Sequence, residues 1–420
     1  MPQSRTSVVA ALVFIASTLL CAQSGTFRAS RDHAAIRYSN AATRDVVARL
    51  NQQIESGTVK LTFEAPGGYL KSVLNALAVP VSSQTLAFSE NSLQREHINK
   101  AAPRAIYFND TVAVGWARGA DSFEVSVQDP TQGVIFYTIA QKPQSRPQLV
   151  RKTTECLECH QTSETLGVPG LFAMSVLPLS DDKNDYAQGW GTDHRTPIED
   201  RWGGWYVTGA QVPAVHLGNV AVSHVPRSYV RASVAPRLAT GSSAFDASGY
   251  LTPHSDIVAL LVFNHQLRMT NLLTRLGWEA RIAAHDAPGA ALPPAVRDLA
   301  RDVVDYLLFV DEAPLPSPVR GSSGFAQEFS SRGPRDTKGR SLRDLDLTRR
   351  LLRYPCSYMI YTDAFDALPP AAKSAVYDRM WEVLSGKETN KVYAVLSPAD
   401  RRAIIDILRE TKKDLPSVFK

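Results

Sequence analysis

The sequence predicts a mainly α-helical chain with a small antiparallel β portion and a helical C-terminal half. Three observations carry this reading. Apolar residues recur at helical spacing from Ile257 to Leu276 and again in later segments. Between Ala105 and Ile139 the period changes to short β-branched and aromatic runs parted by turn residues. The middle, from about 146 to 250, is rich in Gly, Pro and turn signals and has no clear period.

In chain order, Ala42 to Ser56 reads as a helix with Val46, Val47, Leu50 and Ile54 on its apolar face. A short helix follows Gly67-Gly68, carries Leu70, Val73, Leu74 and Leu77, and stops before Pro80. Ala105–Phe108, Val112–Trp116, Phe123–Val127 and Val134–Ile139 read as strands of a meander, with turns at Asn109-Asp110 and Asp129-Pro130. The middle holds a Gly/Pro loop (Gly167-Val168-Pro169-Gly170), an acidic turn (Asp181 to Asp185) and the aromatic run Arg201 to Gly209. Thr252 and Pro253 read as a helix start, followed by the stripe Ile257, Leu261, His265, Met269, Leu272 and Leu276. Further helices are expected over 293–311, 343–352, 369–384 and 397–412, with a Pro/Gly/Ser/Arg-rich loop over 312–342.

At 420 residues the chain suits two or three packed units, taking roughly 100–200 residues per domain. Hydrophobic residues are 44% and charged residues 21%, enough for a sizeable core. The net charge of +5 is mild, and no Lys/Arg run with interleaved aromatics appears, so no nucleic-acid partner is expected. Arg5, the apolar run Val8 to Leu20 and the small residues near Cys21-Ala22 read as a cleaved signal peptide over residues 1–22. The run is shorter than the ~20 residues a membrane span needs, and no later segment is apolar enough, so no transmembrane segment is expected in the mature chain. An uncleaved N-terminal anchor and a lipoprotein at Cys21 are the alternatives; Leu20 suits the latter poorly.

Of the four cysteines, removal of Cys21 leaves Cys156, Cys159 and Cys356, an odd set that is no disulfide framework. Cys356, in the aromatic setting Tyr354-Pro355-Cys356-Ser357-Tyr358, reads as a buried free thiol. Cys156-Leu157-Glu158-Cys159-His160 is the Cys-x-x-Cys-His pattern of c-type haem attachment. Two cysteines on one helical turn reach both vinyl groups of a haem and form thioethers, and the adjacent His160 then meets the iron as proximal ligand. Such attachment is made outside the cytoplasm, so the export segment and the motif support each other. A thiol-redox Cys-x-x-Cys and a zinc site are the other readings, the latter short of a second ligand pair.

Val168-Pro169-Gly170-Leu171 resembles the loop that follows the motif in class I cytochromes c. That resemblance implies a Pro169 carbonyl accepting from the proximal His160 ring, Leu171 packed on the haem, and a cytochrome c-like haem unit embedded in the larger α+β chain. For the distal iron ligand the candidates are His216, whose separation from the motif resembles that in small cytochromes, then Met174, then His265; His194 and Met269 rank lower, and an open position holding water or substrate is the remaining case. Trp202 and Trp205, with Tyr206 beside them, are candidates for haem packing, or ordinary core aromatics. Arg201 is a candidate for a haem propionate, or for a surface pair with Glu199 or Asp200.

More widely, Pro103 to Asp110, the haem motif, Arg201 to Gly209 with His216 to Asn219, Asn264-His265-Gln266 and Arg353 to Tyr358 resemble large exported bacterial monohaem cytochrome c-domain proteins. The resemblance implies one covalent haem c with its iron, and electron transfer in the periplasm or beyond to a redox partner protein. A haem enzyme, peroxidase-like or acting on a small molecule through an open distal site, and a haem-based redox sensor are the alternatives. The expected organisation is a signal peptide (1–22), an α+β region (23–145), a cytochrome c-like haem-binding region (146–250) and a helical C-terminal region (251–420) packed on it.

Overall fold

The structure, a computed structural model, describes residues 30–176, 189–219 and 245–419. The expected export segment with Cys21, and the acidic turn at Asp181 to Asp185, lie outside the described residues. The first expected helix starts at Val46 and not at Ala42. The Asp45 carboxylate accepts from the backbone N–H groups of Val47 and Ala48, so helix α1 spans Val46–Glu55 and buries Val47, Leu50 and Ile54. Helix α2 (Leu70–Ala76) buries Leu70, Val73 and Leu74.

Strands β1 (Thr85–Ala87), β2 (Arg104–Phe108), β3 (Val112–Trp116), β4 (Ser122–Asp129), β5 (Gly133–Ala140) and β6 (Val150–Lys152) follow. After the single turn of α3 (Leu157–His160) come β7 (Ala173–Val176), β8 (Gly189–Thr192) and β9 (Trp205–Tyr206). Seven of these strands form one antiparallel sheet in the order β6-β5-β4-β3-β2-β1-β9, and β7 pairs with β8 apart from it. The four expected strands are its centre. The flanking strands are only two or three residues long, too short to show an alternating pattern.

This corrects the expected fold class. The chain is α+β, built on a seven-stranded antiparallel sheet, and a cytochrome c-like haem unit is not shown. Among the described residues of 146–250, the α-helix amounts to the one turn of α3, while β6 and β9 belong to the sheet. The physical reason is edge pairing: β9 hydrogen-bonds to β1 and β6 to β5, so the irregular middle completes the sheet.

The two sheet faces do different work. Ala105, Tyr107, Val114, Trp116, Phe123, Val125 and Ile135 point into a core shared with α1 and α2. The opposite face carries Ile106, Phe108 and Ala113 and meets the long helix α4 (Ile257–Asp286), with the Phe108 and Phe263 rings 4.6 Å apart. Helix α4 is buried nearly all round, beyond its expected stripe, as suits a helix between a sheet and a helical layer. Its cap is Asp256, not Thr252. Helices α5 (Pro294–Leu307), α6 (Phe325–Ser331), α7 (Asp363–Asp366), α8 (Pro370–Leu384) and α9 (Pro398–Thr411) complete that layer.

Two further expectations are corrected here. The segment 312–342 contains α6 rather than being loop throughout. The expected helix over 343–352 is a turn: Leu347 takes a left-handed φ of 58°, the Asp346 carboxylate accepts from the N–H groups of Thr348 and Arg349, and Leu345 bridges to Leu352. No described helix is long and apolar enough to cross a membrane.

Candidate cofactor site

Helix α3 is one turn long, closed by the His160 N–H donating to the Cys156 carbonyl at 2.9 Å. Cys156 and Cys159 stand three apart and share a face of that turn. Both are free thiols, Cys156 buried and Cys159 exposed. After α3 the chain doubles back: the Gly170 N–H donates to the His160 carbonyl at 2.9 Å, and His160 Nδ1 lies 3.0 Å from the Gly170 carbonyl. A carbonyl can only accept, so Nδ1 carries the proton and Nε2 keeps its lone pair. Burial lowers the His160 imidazole to about 4, against the opposing effect of the Gly170 carbonyl, so the ring is neutral at ordinary pH.

The acceptor is therefore Gly170, one residue beyond the expected Pro169. The Pro169 carbonyl instead accepts from the Val134 N–H at 3.1 Å and ties the loop to β5. Asn271 of α4 holds the same loop with two bonds to Leu171, accepting from its N–H at 3.0 Å and donating to its carbonyl at 2.7 Å. A Cβ at position 170 would stand 2.2 Å from Asn271 Oδ1, so the clamp needs glycine there.

Cys156, Cys159 and His160 all line one cavity with an empty volume of about 1160 Å³, its open mouth included. Its floor is the second face of the sheet: Ile106 on β2, Ala113 and Gly115 on β3, Glu124 and Ser126 on β4, Phe136 on β5. Leu171, Phe172, Met174, Trp205, Phe263 and Leu267 form its other walls. Phe136 and Phe172 flank the His160 ring at 5.0 and 5.9 Å. The small side chains of Ala113 and Ser126 leave a shallow, largely apolar bed beside the motif. The donor set and the bed fit a c-type haem: two thiols on one face, a neutral imidazole with one free nitrogen, and an apolar chamber next to them.

The other sequence candidates divide. Leu171, Met174 and Trp205 line the cavity; Trp205 Nε1 donates to the Met174 carbonyl at 2.8 Å, and the Asn91 side-chain amide donates to Met174 Sδ at 3.5 Å. Pro169, Arg201, Trp202, His216 and His265 are not among the cavity's lining residues. Trp202 is buried and donates to Asn264 Oδ1 at 3.0 Å. Arg201 is buried and donates to the carbonyls of Thr196 and His194 at 2.7 and 2.9 Å, which makes it a loop fastener. His216 packs edge-on against Trp202 at 5.6 Å. Nothing local in the sequence points to Arg104 or Asn271 at this site; Gly170 has one signal, its place beside Pro169 in the loop after the motif.

His265 belongs to a buried imidazole pair. Its Nδ1 lies 2.7 Å from His194 Nδ1, its Nε2 2.7 Å from Ser357 Oγ, and Phe309 stacks on both rings at 4.4 and 4.6 Å. Burial pushes His265 down to about 3; His194 falls well below the usual value, by burial first and then by His265 beside it. Both pKa values are lowered, so below about pH 6.5 the unfolded chain takes up protons that the folded chain refuses, and stability falls with falling pH. The expected slope is up to about 1.4 kcal/mol per pH unit for each imidazole. Urea unfolding between about pH 7 and pH 5 checks this. His194→Gln should reduce the slope, with His265, His160 and His216, all lowered by burial, still contributing, and a flat wild-type profile would refute the assignment.

The chemistry of the thiols bears on the other readings of the motif. Burial, with Glu124 and Glu155 nearby, pushes Cys156 up to about 11, the reverse of what a redox-active Cys-x-x-Cys needs. Among the described residues, the group of His, Cys, Asp and Glu side chains that could hold a metal ion together is His33, His285 and Asp286 near the end of α4, away from both cysteines. Burial pushes Cys356 up to about 12, as for an inert thiol. No family model, curated protein or solved structure matches the chain.

Proposed function

We propose that this chain is an exported c-type haem protein that transfers electrons to or from a redox partner protein. One haem is held by thioethers to Cys156 and Cys159, with His160 Nε2 on its iron. The observation that carries the reading is the cavity: both thiols and the one imidazole with a free, neutral Nε2 line a single mostly apolar chamber. A bound haem would supply a one-electron iron couple whose potential follows its axial ligands, burial and nearby charge.

The protein's own part is to hold and shield. Gly170 fixes the His160 tautomer and ring orientation, and Asn271 fixes the loop that bears Gly170. Phe136, Phe172, Phe263 and Leu267 keep water from the bed. Of the three ranked distal candidates, Met174 is the one that lines the cavity, and it is our proposed sixth ligand.

The test is expression in a host with haem c maturation machinery, followed by denaturing mass spectrometry and acid-acetone extraction. A chain that stays red and weighs one haem more supports the proposal; a colourless chain of unmodified mass refutes it. A weak far-red band in the ferric spectrum, lost in Met174→Leu, supports methionine ligation. High-spin ferric iron that binds cyanide rapidly would favour the enzyme reading with an open distal site.

A further inference from the structure

We propose that Arg104 is the anchor for a haem propionate, an inference that rests on the haem reading above. Arg104 opens β2, and its guanidinium crosses β3 at Gly115 to pair with Glu124 on β4. A Cβ on Gly115 would stand 2.1, 2.6 and 2.7 Å from Nη2, Cζ and Nε, so glycine opens the groove in which the guanidinium lies. All three residues line the cavity with the haem motif.

Two facts then point to a second carboxylate. The first is the guanidinium's unused donor: Nη2 is committed to Glu124, while Nε is buried with no hydrogen-bond partner. A buried charged donor left unpaired is costly, and the guanidinium fork is built to take a carboxylate on two donors. The second is charge. A haem carries two propionates, and Glu124 and Glu155 already line this cavity. Among the cavity's described lining residues Arg104 is the one Arg or Lys. Among the surrounding elements, α4 presents Phe263 and Leu267, β5 presents Phe136 and Tyr137, and α3 presents Cys159 and the neutral His160, while Lys152 on β6, opposite Phe136, is paired with Glu155 at 3.6 Å. A propionate entering beside Glu124 therefore meets Arg104 or meets repulsion. Arg201, the sequence candidate for this role, is committed to backbone carbonyls elsewhere.

The experiment compares the full-length holoprotein with Arg104→Gln, Arg104→Lys and Glu124→Gln. Haem attachment is established first by denatured mass. Resonance Raman then reads the propionate bending band, and spectroelectrochemistry reads the midpoint potential. The expected result for Arg104→Gln is a shifted propionate band and a lower potential, because a cation that disfavours ferric iron is gone. Arg104→Lys should restore both in part and covers the case in which the glutamine variant does not fold. Glu124→Gln should raise the potential while the propionate stays bound. Haem attached, with the band and potential of Arg104→Gln unchanged, overturns this inference alone. A wild-type chain without covalent haem overturns the haem reading and this inference with it.

Discussion

Replacing both motif cysteines, Cys156→Ala with Cys159→Ala, is expected to give a chain of unmodified mass from which acid-acetone removes all colour. Each thioether needs its own sulfur, and among the described residues the third free thiol, Cys356, is fully buried and not among the cavity's lining residues. Either single variant should keep one thioether and therefore the added mass. His160→Ala separates attachment from coordination. Its two thiols remain on one face of α3, so covalent haem should survive, while the neutral Nε2 fixed by the Gly170 carbonyl is lost. Low-spin character should disappear and the iron should gain rapid ligand exchange, read as a high-spin ferric spectrum and fast cyanide binding. Retention of the low-spin spectrum in His160→Ala would remove the imidazole from the proposal. Loss of mass in that variant would show that the histidine is needed for attachment itself.

The difference between what the sequence disclosed and what it concealed follows from range. The central strands were legible because alternation in β2 to β5 is local: Phe123, Val125 and Val127 face one way, Glu124 and Ser126 the other. The edge strands were not, because β9 is two residues whose only evidence is its pairing to β1 across more than a hundred positions of sequence. The motif was legible because its chemistry is written in five consecutive residues. Its surroundings were not: Arg104, Gly115 and Glu124 come together through sheet register, and Asn271 reaches the motif loop from a helix that reads as a plain apolar stripe. Local analogy also misplaced two details. The loop after the motif was expected to offer the Pro169 carbonyl, yet Pro169 is spent on β5 and Gly170 takes its place. His265 stands on an apolar stripe and reads as a candidate ligand, but the same stripe carries it to His194 and Ser357.

The largest stability effect is expected at Asp256, and it bears on the site because Asp256 sets the helix that walls the cavity. Its carboxylate is fully buried and accepts four backbone N–H groups: Val258 and Ala259 of α4 at 2.8 and 3.3 Å, and Ser322 and Ser323 at 2.7 and 2.8 Å. It thus caps α4 and pins the segment leading to α6 in one stroke. Asp256→Ala removes a cap worth about 1 kcal/mol and takes the acceptor from the part-buried Ser322 and Ser323 N–H groups, at about 1–3 kcal/mol each. The expected loss is about 3 kcal/mol or more, a large share of the 5–15 kcal/mol that holds a typical domain. Asp256→Asn should fall between: its amide oxygen can keep one pair of N–H groups, but its NH2 then faces the other pair, donor against donor. Guanidinium unfolding should show a lower midpoint for both variants with the slope unchanged. Phe263 and Leu267 lie within the first three turns after the cap and form one wall of the haem bed, so a frayed start to α4 should also loosen that wall. The holoprotein of Asp256→Asn should therefore keep its covalent haem and lose part of its low-spin population. A wild-type midpoint in Asp256→Ala would mean that the four N–H groups find water, and that the wall stands without its cap.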